Sequence, residues 1–199
     1  MRKILIIGAT GNVGSAVRET LLAKTDDFLT LFARHASELK INKKREHAVS
    51  GNVNDLAELE AAMKNQDAVF VALSGNLGEL AQKVVTAMQA TKVKRLVFIT
   101  SMGIYNEIPA SVGSAGNLEN NPMLINYRKA ADIIENSDLD YTLIRPGWFD
   151  HGSEDYEITH KGEPFGGHDV AINSIADLAC KLLQSDTLDA HDSLGINRK

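Results

Sequence analysis

The chain has 199 residues, 44% hydrophobic and 24% charged, the balance of one soluble globular domain with a single well-packed core. Its formal net charge of −5 gives no electrostatic ground for nucleic acid or an anionic membrane as a partner, while leaving room for a small anionic ligand. The lone Cys180 excludes an internal disulfide and no apolar run approaches a membrane span, so a reducing cytoplasm is the expected setting.

The chain opens on KILIIG (3–8), an apolar strand stopped by glycine, and passes into GNVGSAVRETLLAK (11–24), apolar at helical spacing with Asn12 as its start signal. FLTLFA (28–33) and EHAVSG (46–51) read as strands, and DLAELEAAMKN (55–65) as a helix opened by Asp55. DAVFVAL (67–73), GELAQKVVTAMQATK (78–92), RLVFIT (95–100), YRKAADIIENS (127–137) and DYTLIRP (140–146) continue the alternation. A last helix, SIADLACKLLQ (174–184), places Cys180 among apolar neighbours as a core thiol and is followed by a short tail. Most strands are apolar on both faces, the pattern of a parallel sheet buried between two helix layers. The expected fold is α/β, a Rossmann-type doubly wound parallel sheet in one domain spanning 1–199. The irregular stretches 103–122 and 150–170 follow the fifth and sixth strands. They therefore lie at the carboxyl edge of the sheet, where ligands bind, and 147–172 is the expected substrate loop.

Gly8, Gly11 and Gly14 sit at the first strand-to-helix turn with the spacing G-x-x-G-x-x-G. The first N–H groups of a helix lack partners and carry partial positive charge, so a pyrophosphate suits such a turn. Gly8 permits the tight turn, Gly11 lets phosphates approach the backbone, and Gly14 lets the helix pack on the strand. Thr10, Asn12 and Val13 complete the expected cradle. The alternative is a purely structural glycine turn.

These residues resemble a known family. GATGNVG is similar to the N-terminal signature of the atypical short-chain dehydrogenase/reductase group, in particular its NmrA-like and flavin-reductase-like NAD(P)H-binding members. SGNVND, RLVFITSMG, SDLDYTLIRPGWF and INSIADLACKLL extend the resemblance over nearly the whole chain. It implies that Asn52 and Val53 flank the adenine, that Ala72, Leu73, Ser74 and Gly75 line the adenosine and phosphates, and that Thr100 and Pro146 complete the cofactor site at later strand ends. Asn52 stands where the family often has Asp, which leaves an amide without the charge. After the second strand, where an NAD site carries an acid, the sequence reads LFARHAS. Arg34 suits the 2′-phosphate of NADP through paired hydrogen bonds, with His35 and Ser37 as candidate helpers, so NADPH is favoured over NAD. A solvated charge at a strand end is the other reading of Arg34.

The familiar reductases of this group use Y-x-x-x-K, in which Lys lowers the Tyr pKa and the phenol protonates a carbonyl oxygen. No such pair exists here; the corresponding window reads MLINY, with Met123 in the tyrosine's place and Tyr127 in the lysine's. Ser101 matches the family's active-site serine, and Tyr105 and Tyr127 are the candidate replacements for the phenol, the alternative being ordinary packed aromatics. A missing proton donor restricts the acceptors, because a flavin or quinone delocalises the incoming charge and takes its proton from water. Trp148 and Phe149 are either a stacking surface for such a ligand or a lid on the core. His151, His160 and His168, with Glu154, Asp155 and Asp169, match no compact ligand spacing, so no metal is expected, and His151 is either a proton donor or a solvated loop residue. The cluster KINKKREH (40–47) reads as a solvated connection. Three functions compete: an NADPH-dependent reductase of a conjugated small molecule, an NmrA-type sensor that passes cofactor occupancy to a protein partner without turnover, and a nucleotide-sugar epimerase or dehydratase. The short C-terminal region counts against the third.

Overall fold

A computed structural model describes residues 1–198. It is one α/β domain whose elements, in chain order, are β1 (Lys3–Ile7), α1 (Asn12–Lys24), β2 (Phe28–Ala33), β3 (Glu46–Ser50), α2 (Leu56–Met63), β4 (Ala68–Val71), α3 (Leu77–Thr91), β5 (Arg95–Ile99), α4 (Ile125–Glu135), β6 (Asp140–Pro146), β7 (Trp148–Asp150), β8 (Glu157–Thr159), β9 (Asp169–Ala171), α5 (Ile172–Leu183) and β10 (Asp192–Asn197). The main sheet has the order β3-β2-β1-β4-β5-β6-β10-β8, parallel throughout except for the edge strand β8, which runs antiparallel to β10. β7 and β9 form a separate two-stranded parallel ribbon.

The period-two alternation of β1 divides the core. Leu5 and Ile7 join Val69, Phe98 and the buried faces of α2, α3 and α4 on one side. Ile4 and Ile6 join Phe70, Val97 and the buried faces of α1 and α5 on the other. Both faces of each central strand are dry, which is why these strands read as unbroken apolar runs. Strand order reverses between β1 and β4, so the loops on either side diverge and leave a crevice at the carboxyl edge of the sheet. Among the described residues, no helix is long and apolar enough to cross a membrane.

Three readings of the sequence need correction. The tail after the last helix is β10, an interior strand with Leu194 and Ile196 fully buried. Gly195 disguises it, and the packing requires that glycine: a Cβ there would lie 2.3 Å from Thr159 Oγ1 and 2.7 Å from Phe165 Cζ. The stretch 150–170 is not all irregular, since β8 and β9 form within it by pairing with strands remote in sequence. Helix α4 also starts at Ile125, two residues before Tyr127, after a short 3₁₀ turn at Pro122–Leu124.

Candidate functional site

The crevice is an open cleft of about 630 Å³. Its lining gathers Gly8, Thr10, Gly11, Asn12, Val13 and Gly14 from the turn after β1, Arg34 and His35 after β2, Asn52, Val53 and Asn54 after β3, Ala72, Leu73 and Ser74 after β4, and Thr100 after β5. Tyr127 from the first turn of α4 and Phe149 from β7 close the far end with Leu80 and Ile99.

The three glycines differ physically. Gly8 has φ +87°, and a Cβ on it would stand 2.1 Å from the Ala72 carbonyl oxygen. A Cβ on Gly14 would stand 2.2 Å from the Gly8 carbonyl oxygen, so Gly14 is what allows α1 to lie against the turn. Gly11 has φ −80°, and its Cβ would come no nearer than 3.4 Å to any protein atom. The fold therefore requires glycine at 8 and 14 but not at 11, where the bare backbone faces the cleft. Gly11 is also the N-cap of α1, in place of the expected Asn12; no side chain caps the helix and no acid stands in its first turn. Unfilled N–H groups and a surface kept free of side chains fit a diphosphate.

On the β2–β3 side of the cleft, Arg34 and His35 are exposed at the lip beyond β2. Asp27 lies at the opposite end of β2, nearly fully buried, accepting hydrogen bonds from the Arg2 backbone N–H at 2.6 Å and from Gln184 Nε2 at 2.6 Å. Asn52 accepts the Asn54 N–H on Oδ1 at 3.0 Å, and its own N–H donates to Glu58 Oε2 at 2.9 Å. Glu58 thus pins the loop that carries Asn52 and Val53, a role unread in the sequence although Asp55 and Glu58 have the spacing of a capping box.

At the far end the sequence expectations divide. Tyr127 lines the cleft; Tyr105 and Ser101 do not. The Tyr105 hydroxyl donates to Glu135 Oε1 at 2.6 Å, and its ring is packed among the Arg128, Arg145 and Lys161 cations, so it cannot stand in for the missing phenol. Burial, together with the Glu135 carboxylate, pushes its pKa well above the ordinary phenol range. Ser101 Oγ donates to the Met102 carbonyl at 3.0 Å, and Thr100 Oγ1 to the Ile144 carbonyl at 3.0 Å. Pro146 is buried and Gly75 stands at φ +98° with open space around it; neither belongs to the lining. Phe149 faces the cleft, whereas Trp148, its neighbour on β7, turns to the other face and stacks on His168 at 5.8 Å between ring centroids. The two rings therefore form no common platform.

The loop histidines are also separated. His168 Nδ1 pairs with Asp169 at 2.7 Å, and His160 Nδ1 with Asp192 at 2.6 Å. Among the described residues, the group whose ligand atoms approach within metal-binding range is His160 with Asp189 and Asp192, which leaves out His151 and His168.

A family model described as NAD(P)H-binding matches residues 8–186. The chain is 26% identical over 197 residues to NAD(P)H azoreductase of Xenophilus azovorans, covering 96% of this chain and 65% of that protein's length. A Rossmann-fold NAD(P)-binding family protein from Shigella flexneri is 34% identical and superposes with a TM-score of 0.84, covering 100% of this chain and 94% of that one. A short-chain dehydrogenase/reductase from Veillonella parvula DSM 2008, solved in complex with NADP, is 25% identical with a TM-score of 0.87, covering 99% and 94%.

Proposed function

This chain belongs to the NAD(P)H-binding family, and from that premise we propose that it is an NADPH-dependent reductase whose acceptor is a flat, conjugated small molecule such as a flavin, a quinone or an azo compound. The observation that carries this reading is the far end of the cleft, whose lining includes Phe149, Ile99, Leu73, Leu80 and the phenol of Tyr127 but, among the described residues, no lysine. A ketone reduced there would lack the paired acid that its developing alkoxide needs, whereas a conjugated acceptor spreads the incoming charge. The azoreductase relative supports an acceptor of this class. NADPH, when bound, supplies the hydride. In this reading the turn from Gly8 to Gly14 holds the diphosphate, Arg34 pairs with the 2′-phosphate, Val53 and Asn52 flank the adenine, and Phe149 stacks on the acceptor within the 147–172 loop.

A second reading, the NmrA-type sensor, rests on one observation. The hydroxyls of Thr100 and Ser101 are already bonded to backbone carbonyls, so the end beside the acceptor position has little chemistry of its own. The two readings part when purified protein is assayed for NADPH oxidation with FMN, menadione and an azo dye, with a nucleotide-linked sugar as control. Turnover with conjugated acceptors alone supports the reductase. Tight NADPH binding with background oxidation across the panel refutes it and favours the sensor.

A further inference from the structure

Close to the apolar end of the cleft, but outside its lining, lies a buried ion pair that the cofactor site does not account for. Arg145 Nη1 donates to Glu107 Oε1 at 2.6 Å, with the two side chains 0% and 5% exposed. Two further guanidinium donors reach Ser193 Oγ at 3.0 Å and the Ser193 carbonyl at 2.9 Å on β10. The Glu107 carboxylate also accepts the backbone N–H of Gly103 at 3.0 Å and of Tyr105 at 2.8 Å, while the Glu107 carbonyl accepts the Phe165 N–H at 3.2 Å. The ion pair thus joins the loop after β5, the end of β6 and β10, and the Glu107 backbone adds the loop before β9. A buried ion pair adds little net stability over packed apolar residues of the same volume, so stability alone is a poor reason to keep it. Arg145 stands four residues before Phe149, and the loop Glu107 restrains starts beside Thr100; both of those residues line the cleft.

We propose that the Glu107–Arg145 pair is a positioning device for the acceptor end: it fixes the loop after β5 to the end of β6 and so sets where Phe149 stands over the cleft. The proposal rests on the reductase reading given above. Its test compares wild-type protein with Glu107→Gln and with the double variant Glu107→Met/Arg145→Met, which strands no buried charge but leaves the Gly103 and Tyr105 N–H groups unpaired, so a cooperative thermal melt first establishes that each variant is folded. Misplacement of reacting groups by about 1 Å costs on the order of 100-fold in rate. The expected result is therefore a fall of roughly 10- to 100-fold in kcat at saturating menadione, with the NADPH dissociation constant within about twofold of wild type. An undiminished kcat in the double variant, or an equal loss of NADPH affinity, overturns the proposal. Wild-type protein that oxidises no acceptor sinks the reductase reading instead, and amide hydrogen exchange then decides the positioning claim. Faster exchange at 101–108 and 147–149 in the double variant, with 8–14 unchanged, sustains it; unchanged protection at all three segments defeats it.

Discussion

The two ends of the cleft are built by opposite means. The end beside Arg34 is polar and made of turns that directly follow β1, β2 and β3; Asn52 and Glu58 hold the third of these within a few residues, and the Gly8 N–H ties the first to the Phe32 carbonyl of the neighbouring strand at 3.0 Å. The far end is more apolar, and partners remote in the chain hold the elements around it: Phe149 sits on a ribbon strand paired with β9, and Arg145, four residues before it, is bound to Glu107 and Ser193. The residue types of the glycine turn stand together in one short stretch of sequence, whereas the far end takes its form from pairings between segments farther apart.

The largest expected effects separate the glycines of the near end. Gly14→Ala forces a Cβ against the Gly8 carbonyl and should destabilise the fold by about 3 kcal/mol or more, read as a lower melting temperature. Gly11→Ala should leave stability within about 0.5 kcal/mol yet lower NADPH affinity at least ~10-fold. Equal melting losses in both variants would break the distinction between a glycine kept for packing and one kept for a ligand. Arg34→Ala should cost about 1.5–3 kcal/mol of NADPH binding, roughly 10-fold or more, and leave NADH binding unchanged in calorimetric titration.

At the far end, Phe149→Ala should reduce acceptor binding by about 0.5–1.5 kcal/mol through lost stacking, visible as a raised KM for menadione with NADPH affinity intact. The smallest effect concerns the loop beyond β8. The hydrogen bond to Asp192 raises the His160 pKa above its ordinary value of 6.5. A raised folded-state pKa means that the stabilisation is complete below about pH 6.5 and is lost as pH rises through the higher folded value. Both groups are partly exposed, so the contribution is small. Thermal melts across this range should show a decline that Asp192→Asn abolishes.

This contrast also explains what could be read from the sequence. The parallel sheet, the glycine turn and Arg34 follow from local periodicity and residue type, and each lies within a few residues of the strand that positions it. Tyr105 and Tyr127 look equivalent in the sequence. They are separated by Glu135, 30 residues from Tyr105, and by Ser193, 88 residues away on a strand that a central glycine concealed. Similarly, nothing local distinguishes Phe149 from Trp148 until β7 pairs with β9 and assigns one ring to each face. The far end is invisible to pattern reading because its determinants are pairings between distant segments, which no window of sequence contains.

The most direct test of the central claim is an anaerobic single-turnover experiment in which protein preloaded with NADPH is mixed with menadione or FMN. A reductase makes nicotinamide absorbance and oxidised acceptor disappear together, stoichiometrically, at a rate well above the protein-free reaction. If NADPH remains bound and reduced while the acceptor persists unchanged, the cleft is a sensor of the dinucleotide and not the site of its oxidation.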